Sequence, residues 1–286
     1  MKIGLSSYSL YRALKSGELD WTGAIQWIAE NGGEHMEVVP LDLVFAEDES
    51  VVKTVVQRAA DFGIALSGYT IGAQFLTETD EAYEAEIQRV KREVDVAAAL
   101  GVSLMRHDVA SRPIAEATAA QFEVDLPRLI HACREIADYA KQYGIVTSVE
   151  NHGYYVQASE RVLRLVLGVD RENFRTTLDI GNFLCVDEDP IAAVKNNISY
   201  ASMVHFKDFY RRPATSDPGD GWFSSKAGYR LRGAICGQGD INIPAVAAIV
   251  RESGFDGFVS LEFEGLEDCR QGSAIGLANL RRYLGC

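Results

Sequence analysis

The chain has 286 residues, and its 47% hydrophobic content is sufficient for a large buried core. Its 28 basic and 41 acidic residues give a net charge of −13, which opposes nucleic-acid binding because that binding requires Lys and Arg to neutralise phosphates. No apolar run reaches the ~18 residues of a membrane-spanning helix, and the N-terminus lacks the apolar region of a signal peptide. We therefore expect a cytoplasmic protein that acts on a small molecule, with neither nucleic acid nor membrane as a partner.

Short apolar or β-branched segments alternate along the chain with longer amphipathic ones, which indicates repeated βα units and a parallel sheet. Eight strands are predicted near residues 3–8, 34–39, 64–70, 102–107, 145–150, 174–179, 200–206 and 257–263. Helices are predicted near residues 21–31, 49–62, 80–100, 117–143, 158–168, 188–198, 244–254 and 268–284. Eight βα units predict an α/β fold, a single (β/α)8 TIM barrel that forms one domain over residues 1–286.

One connection, residues 207–243 between the seventh strand and the seventh helix, is unusually long. Loops of this length in a compact domain are usually functional or disordered. The segment contains Trp222, Arg230 and Arg232, and we interpret it as a lid-like loop over a substrate.

The five cysteines form no CxxC pair and are odd in number, so a disulfide framework is not expected. This usage fits a reducing compartment. The positions are Cys133, Cys185, Cys236, Cys269 and Cys286.

Ionisable side chains stand at the carboxyl ends of the last four predicted strands. A carboxylate that ends an apolar strand is costly to bury unless it is paired or bound to a metal. Neighbouring strands are about 4.8 Å apart, so four such side chains can converge on one point. Three carboxylates and one imidazole predict a single divalent cation, with Mn²⁺ preferred and Mg²⁺, Co²⁺ or Zn²⁺ as alternatives. The predicted ligands are Glu150, Asp179, His205 and Glu262.

Each of these residues also has a structural interpretation. Glu150 or Glu262 alone could be an ion-pair partner, and His205 alone could be a hydrogen-bonded core residue. The argument for a metal site depends on the four positions as a set.

Further polar residues near the strand ends are candidates for substrate contact. Glu37 and His107 either support the metal ligands or touch the substrate, and His152 follows the fifth strand. Lys207 and the lid arginines either clamp an anion or are solvated. The chain has no glycine-rich phosphate cradle, which favours an unphosphorylated substrate. The candidate substrate-binding residues are Asn182, His152, His107, Glu37, Lys207, Arg232 and Trp222.

The segments ENHG, TLDIGNF, VHFKD, GQGDIN and SLEFEG occur in this order. Together they resemble the xylose isomerase-like superfamily of sugar phosphate isomerases and epimerases, which includes D-tagatose 3-epimerase and inosose dehydratases. The resemblance covers essentially the whole chain and implies the same four metal ligands. It further implies that Glu150 and Glu262 act as an acid/base pair.

The chain departs from the epimerase pattern at Asn182, where that pattern has a histidine. Endonuclease IV also requires this histidine and further ones for three zinc ions. With five histidines and a net charge of −13, a DNA-repair nuclease is not expected.

The resemblance and the chemistry of the set imply a metal-dependent sugar isomerase or epimerase. A base removes the proton next to a carbonyl, and the metal stabilises the enediolate. The substrate would be a sugar or a ketone derived from a polyol. A dehydratase or lyase on a keto-polyol or keto-glycoside, and a non-catalytic sugar-binding barrel, are the alternatives, and a homodimer is compatible with the sequence.

Overall fold

A closed barrel of eight parallel strands forms the centre of the computed structural model, which describes residues 1–41, 45 and 48–285. Three further strands form a separate sheet outside the barrel. The strands are β1 (Lys2–Ser6), β2 (His35–Val38), β3 (Ala65–Ile71), β4 (Leu104–His107), β5 (Val146–Glu150), β6 (Phe174–Asp179), β7 (Ala201–Phe206), β8 (Asp208–Arg212), β9 (Phe223–Ser224), β10 (Arg230–Ala234) and β11 (Phe258–Leu261).

The barrel order is β1-β11-β7-β6-β5-β4-β3-β2, so the last strand of the chain pairs with the first. Every predicted strand is present within a few residues of its expected bounds. The predicted TIM barrel is confirmed. Because all eight strands are parallel, their carboxyl ends open onto one mouth, where active sites of this fold lie.

Helices surround the barrel and bury an apolar face against the strands. Several begin with a side-chain cap. For example, Asp189 accepts a hydrogen bond from the backbone N–H of Ala192, and Pro190 occupies the first turn. The predicted helices are all present, and the short helix α1 was not predicted. The bounds are α1 (Tyr11–Ser16), α2 (Trp21–Glu30), α3 (Glu49–Asp61), α4 (Asp80–Ala99), α5 (Ala119–Ala140), α6 (Ser159–Val169), α7 (Pro190–Asn197), α8 (Ile243–Glu252) and α9 (Cys269–Leu284).

The structure describes four of the five cysteines. Cys133, Cys185, Cys236 and Cys269 are buried and free, while Cys286 lies outside the described residues. Among the helices that the structure describes, none is both long and apolar enough to cross a membrane.

The segment predicted as a long loop contains an antiparallel sheet of three strands, in the order β8-β10-β9. The signal for it is the alternation in RLRGA, where the buried Leu231 stands between Arg230 and Arg232. An isolated bridge between Gly233 of β10 and Gly265 joins this sheet to the loop that follows β11. The insertion is therefore an ordered wall beside the mouth of the barrel.

The buried carboxylate of Asp208 secures the return of this insertion to the barrel. Its oxygens accept hydrogen bonds from the backbone N–H groups of Gly237, Gly239 and Ile241, and from that of Phe209. Three of these donors, Gly237, Gly239 and Ile241, belong to the GQGDIN turn, so one side chain satisfies three backbone N–H groups of the turn.

We predict that Asp208→Ala lowers the free energy of unfolding by about 3 kcal/mol, because it leaves several buried N–H groups without an acceptor. Asp208→Asn is expected to lose less, since its amide oxygen still accepts. Urea denaturation measures both, with the exposed Asp217→Ala as the control. Equal stability of the Asp208→Ala and Asp217→Ala proteins would contradict the anchoring role.

Candidate metal centre

Four side chains from neighbouring barrel strands meet at the mouth of the barrel. Glu150 and Asp179 are the last residues of β5 and β6, His205 pairs in register with Asp179, and Glu262 directly follows β11. One potential ligand atom from each lies within 4.8 Å of the others, and all four residues are buried. The structure thus brings together the complete set of ligands that the sequence predicts.

The donor atoms of this cluster fit a divalent cation. Asp179 Oδ1 accepts hydrogen bonds from the backbone N–H groups of Gly181 and Asn182, whereas the buried Oδ2 has no hydrogen-bond partner in the described structure. His205 Nδ1 is also buried without a hydrogen bond and lies 3.8 Å from Glu150 Oε2. Buried polar atoms are normally satisfied, so these two atoms indicate room for a ligand that binds carboxylate oxygen and imidazole nitrogen.

Glu37 lies directly behind His205. Its Oε2 atom is 2.8 Å from His205 Nε2, and its Oε1 atom accepts a hydrogen bond from the hydroxyl of Thr70. Burial lowers the pKa of His205, but the adjacent Glu37 and the other carboxylates reverse this effect and raise the pKa to about 10. In a metal-bound histidine, one ring nitrogen ligates the metal and the other usually contacts a carboxylate, a backbone carbonyl or water. Glu37 is such a carboxylate, and it leaves the other ring nitrogen of His205 to face a metal.

Lys207 supplies a positive charge to the same cluster. Its Nζ atom lies 2.6 Å from Glu262 Oε2, 3.2 Å from Glu264 Oε1 and 3.5 Å from Asp179 Oδ2. Burial lowers the pKa of Lys207, but these carboxylates together raise it well above its usual value. The ammonium group therefore neutralises part of the carboxylate charge, and a cation that binds here competes with it for Glu262.

Burial raises the pKa of Glu262, but the charges of Lys207 and His205 outweigh burial and lower it overall. For Asp179, burial dominates and the pKa is raised, with further upward contributions from Glu150 and Glu262. Two chemically similar carboxyls therefore differ in their tendency to hold a proton.

Arg106 is the functional residue that the sequence analysis missed. It points into the barrel from β4, and its Nε atom lies 3.0 Å from Glu150 Oε2, while a second nitrogen lies 2.7 Å from Asp108 Oδ1. Asn182 donates a hydrogen bond to the other oxygen of Glu150 at 2.9 Å. Both oxygens of Glu150 are thereby held in place. The available signal was a charged residue inside the short apolar run LMRH.

The remaining candidates lie in different places. His107 is buried between the rings of Phe75 and Phe174, and burial lowers its pKa to about 4. It does not belong to the four-ligand cluster, because it alternates with the inward-facing Arg106 on β4. His152 is half-exposed at the rim, with Nδ1 3.3 Å from Asp108 Oδ1.

Of the lid candidates, Arg232 lies on β10 and Trp222 directly precedes β9. The guanidinium of Arg232 lies over the rings of Tyr210 and Trp222, at 4.8 Å and 5.4 Å from their centroids. Arg232 and Trp222 therefore contact each other beside the barrel mouth. Phe183 is fully buried in the core, whereas Tyr8 is 37% exposed beside the mouth.

Comparisons with known proteins agree with this architecture. The family model described as xylose isomerase-like TIM barrel matches residues 25–283, which confirms the resemblance predicted from the motifs. An inosose dehydratase from Lacticaseibacillus casei is 26% identical over 139 residues, or 48% of this chain and 46% of that protein. The chain thus matches about half the length of this curated relative.

Two solved structures have the same fold. A crystal structure of the IOLI protein with a bound zinc atom has a TM-score of 0.77 at 18% identity, covering 100% of this chain and 98% of that one. A D-psicose 3-epimerase in the presence of D-fructose has a TM-score of 0.75 at 17% identity, and 100% of each chain is covered.

We predict that the affinity for Mn²⁺ rises with pH. His205 must lose a proton from Nδ1 to ligate, and its raised pKa means that the metal-free protein holds this proton at neutral pH. The raised pKa of Asp179 acts in the same direction. From pH 6 to pH 8 the apparent Kd should fall by about tenfold per unit for each proton released.

Calorimetric titration with Mn²⁺ in buffers of different ionisation enthalpy measures both the affinity and the released protons. His131→Gln is the matched control, because His131 is exposed and contacts Tyr83 away from the cluster. An affinity that does not change over this pH range would contradict the assignment of His205 as a ligand.

Proposed function

The chain belongs to the xylose isomerase-like TIM barrel family, and from this we propose that it is a divalent-metal-dependent sugar isomerase or epimerase. The observation that carries the proposal is the buried cluster of Glu150, Asp179, His205 and Glu262. Its two glutamates come from strands separated by two others around the barrel. Carboxylates so placed approach a bound substrate from different sides.

The four clustered residues would hold the ion, and we propose Mn²⁺ first because three carboxylates and one imidazole form a mixed oxygen and nitrogen set. When bound, a divalent ion supplies Lewis-acid stabilisation of the negative charge that develops on a substrate oxygen. The burial of the cluster excludes water, which strengthens each electrostatic contact there.

Glu150 and Glu262 are the proposed acid/base pair. Glu262 remains ionised because neighbouring positive charges lower its pKa, so it can accept a proton from the carbon next to a carbonyl. Glu150 is held by Arg106 and Asn182, which fix the direction of its carboxylate. If one glutamate removes the proton and the other returns it to the opposite face, the product is an epimer. If one glutamate returns it to the adjacent carbon, the product is the isomeric sugar.

We assign substrate contacts to residues beside the cluster. Asn182 replaces a histidine of the epimerase pattern. Its amide can hydrogen-bond a hydroxyl but cannot act as a general acid. His152 at the rim and Lys207 beside Glu262 are placed to contact further oxygens. Glu37 supports His205 from behind. The lid role of Arg232 and Trp222 stays a proposal.

A metal-dependent dehydratase is the second candidate, and one observation favours it. The Lys207 ammonium lies 2.6 Å from Glu262, so a base and a proton donor stand side by side. After Glu262 removes a proton next to the carbonyl, Lys207 could protonate a departing β-hydroxyl, which leaves as water and gives an unsaturated ketone. The partial match to an inosose dehydratase is consistent with this alternative.

We predict that Mn²⁺-loaded protein incorporates deuterium from D2O into keto-sugars at a carbon next to the carbonyl. Glu150→Gln and Glu262→Gln should each lower this exchange by about 10²–10⁴-fold, because an amide cannot act as a base. NMR measures the exchange, and metal analysis of each variant separates loss of the base from loss of the ion. The exposed Glu252→Gln is the control.

The same samples distinguish the candidates. An ultraviolet-absorbing unsaturated product would support the dehydratase. Ligand binding that is unchanged in Glu150→Gln, with no exchange and no product across a broad panel, would contradict both enzymatic functions and indicate a sugar-binding barrel.

A further inference from the structure

A cavity of about 400 Å³ opens beside the metal centre, within the ~300–1,000 Å³ range of pockets for small molecules. Three parts of the chain enclose it: the segment after β1, the three-stranded sheet and the loop after β11. The residues that matter for its chemistry are Tyr8, Tyr11, Arg12, Phe223, Glu264 and Leu266.

The cavity adjoins the catalytic cluster through a short chain of contacts. Glu264 lines the cavity and lies 3.2 Å from Lys207 Nζ, which in turn lies 2.6 Å from Glu262. Tyr8 lies on the same side, and burial, followed by the charge of Glu264, raises its pKa. Two side-chain contacts, Glu264 to Lys207 and Lys207 to Glu262, therefore separate the cavity wall from the cluster.

The wall of the cavity is apolar and exposed. Tyr8 and Phe223 are each 37% exposed and Leu266 is 55% exposed. In the described part of the chain these are three of eight exposed large hydrophobic side chains, and they surround one cavity. Clustered exposed apolar surface, unlike scattered single residues, marks a binding site.

The wall is also ordered before any ligand arrives. The ring of Phe223 packs edge-on against the buried Phe209, with centroids 5.6 Å apart. Gly233 pairs with Gly265, and the approach is so close that a Cβ atom at Gly233 would lie 2.4 Å from the carbonyl oxygen of Glu264. A preorganised wall of this kind loses little conformational entropy on binding.

The two charged side chains of the cavity wall are already engaged. Arg12 donates hydrogen bonds to the backbone oxygens of Leu266 and Glu267, and Glu264 is paired with Lys207. A second sugar ring would place several hydroxyls where these groups have other partners. An apolar ring or chain would instead cover the exposed side chains of Tyr8 and Phe223.

We propose that this cavity binds an apolar aglycone, so that the substrate is a keto-sugar carrying an aryl or alkyl group rather than a free ketose. The position of the ketone in this proposal rests on the proposed function. The aglycone would lie between Tyr8 and Phe223, while the ketone lies at the four clustered ligands.

The test compares methyl and phenyl glycosides of one keto-hexose with the Mn²⁺-loaded protein. Deuterium exchange gives kcat and KM for each, and calorimetry gives Kd. We expect the phenyl glycoside to have about tenfold lower KM and Kd, because its ring buries apolar surface in the cavity. Phe223→Ala and Leu266→Ser should reduce this preference to about threefold or less, with the change in KM rather than kcat. Leu167→Ala, at an exposed position on α6, should keep the full preference.

Equal KM and Kd values for the methyl and phenyl compounds would overturn the proposal. So would a phenyl preference that survives both cavity substitutions, or a keto-disaccharide that binds more tightly than the phenyl glycoside. Failure of the underlying function is distinguishable: no compound would exchange deuterium, yet calorimetry would still show the phenyl preference and its loss in Phe223→Ala.

Discussion

The arrangement of charges at the barrel mouth depends on one constraint, the burial of three carboxylates at a single point. Glu150, Asp179 and Glu262 stand where water cannot screen them, and their mutual repulsion must be offset within the protein. Arg106 contacts the first, and Lys207 contacts the other two. The carboxylates therefore have partners of their own. Binding of a divalent ion would exchange one positive charge for another, because Lys207 would give up its contacts and His205 would give up a proton.

The barrel makes this concentration of charge possible. Four neighbouring strands of the closed sheet carry these residues: β5, β6, β7 and β11. Apart from the three-stranded insertion, the four strands also follow one another along the chain. Strand ends that are successive in the sequence are therefore adjacent in space. Each of these strands pairs with a neighbour on both sides, which leaves the terminal side chains on a rigid ring. Rigid placement matters because acid/base groups must stand within hydrogen-bond reach of the reacting carbon's proton.

The sequence was sufficient for the barrel and for the convergence of four ionisable side chains because both follow from strong patterns: repeated βα units and a charged residue at the end of an apolar strand. Arg106 and His107 show where such patterns fail. On a four-residue strand a shift of one position exchanges the inward and outward faces, so the pattern did not indicate that Arg106 is the residue of β4 that contacts Glu150. The three-stranded insertion was missed because β9 has only two residues and the pairing of β8 with β10 is non-local.

Lys207 links the chemistry of the centre to the shape of its surroundings. Asn182 cannot deliver a proton, whereas the ammonium of Lys207 lies between Glu262 of the cluster and Glu264 of the cavity wall. A substrate oxygen that faces the cavity would therefore meet a proton donor, and one that faces Asn182 would not. If the bond to the aglycone or a β-hydroxyl lies on the Lys207 side, enolisation leads on to elimination. If the substrate has no leaving group on the Lys207 side, the enolate can only be reprotonated. The reaction would then be isomerisation or epimerisation.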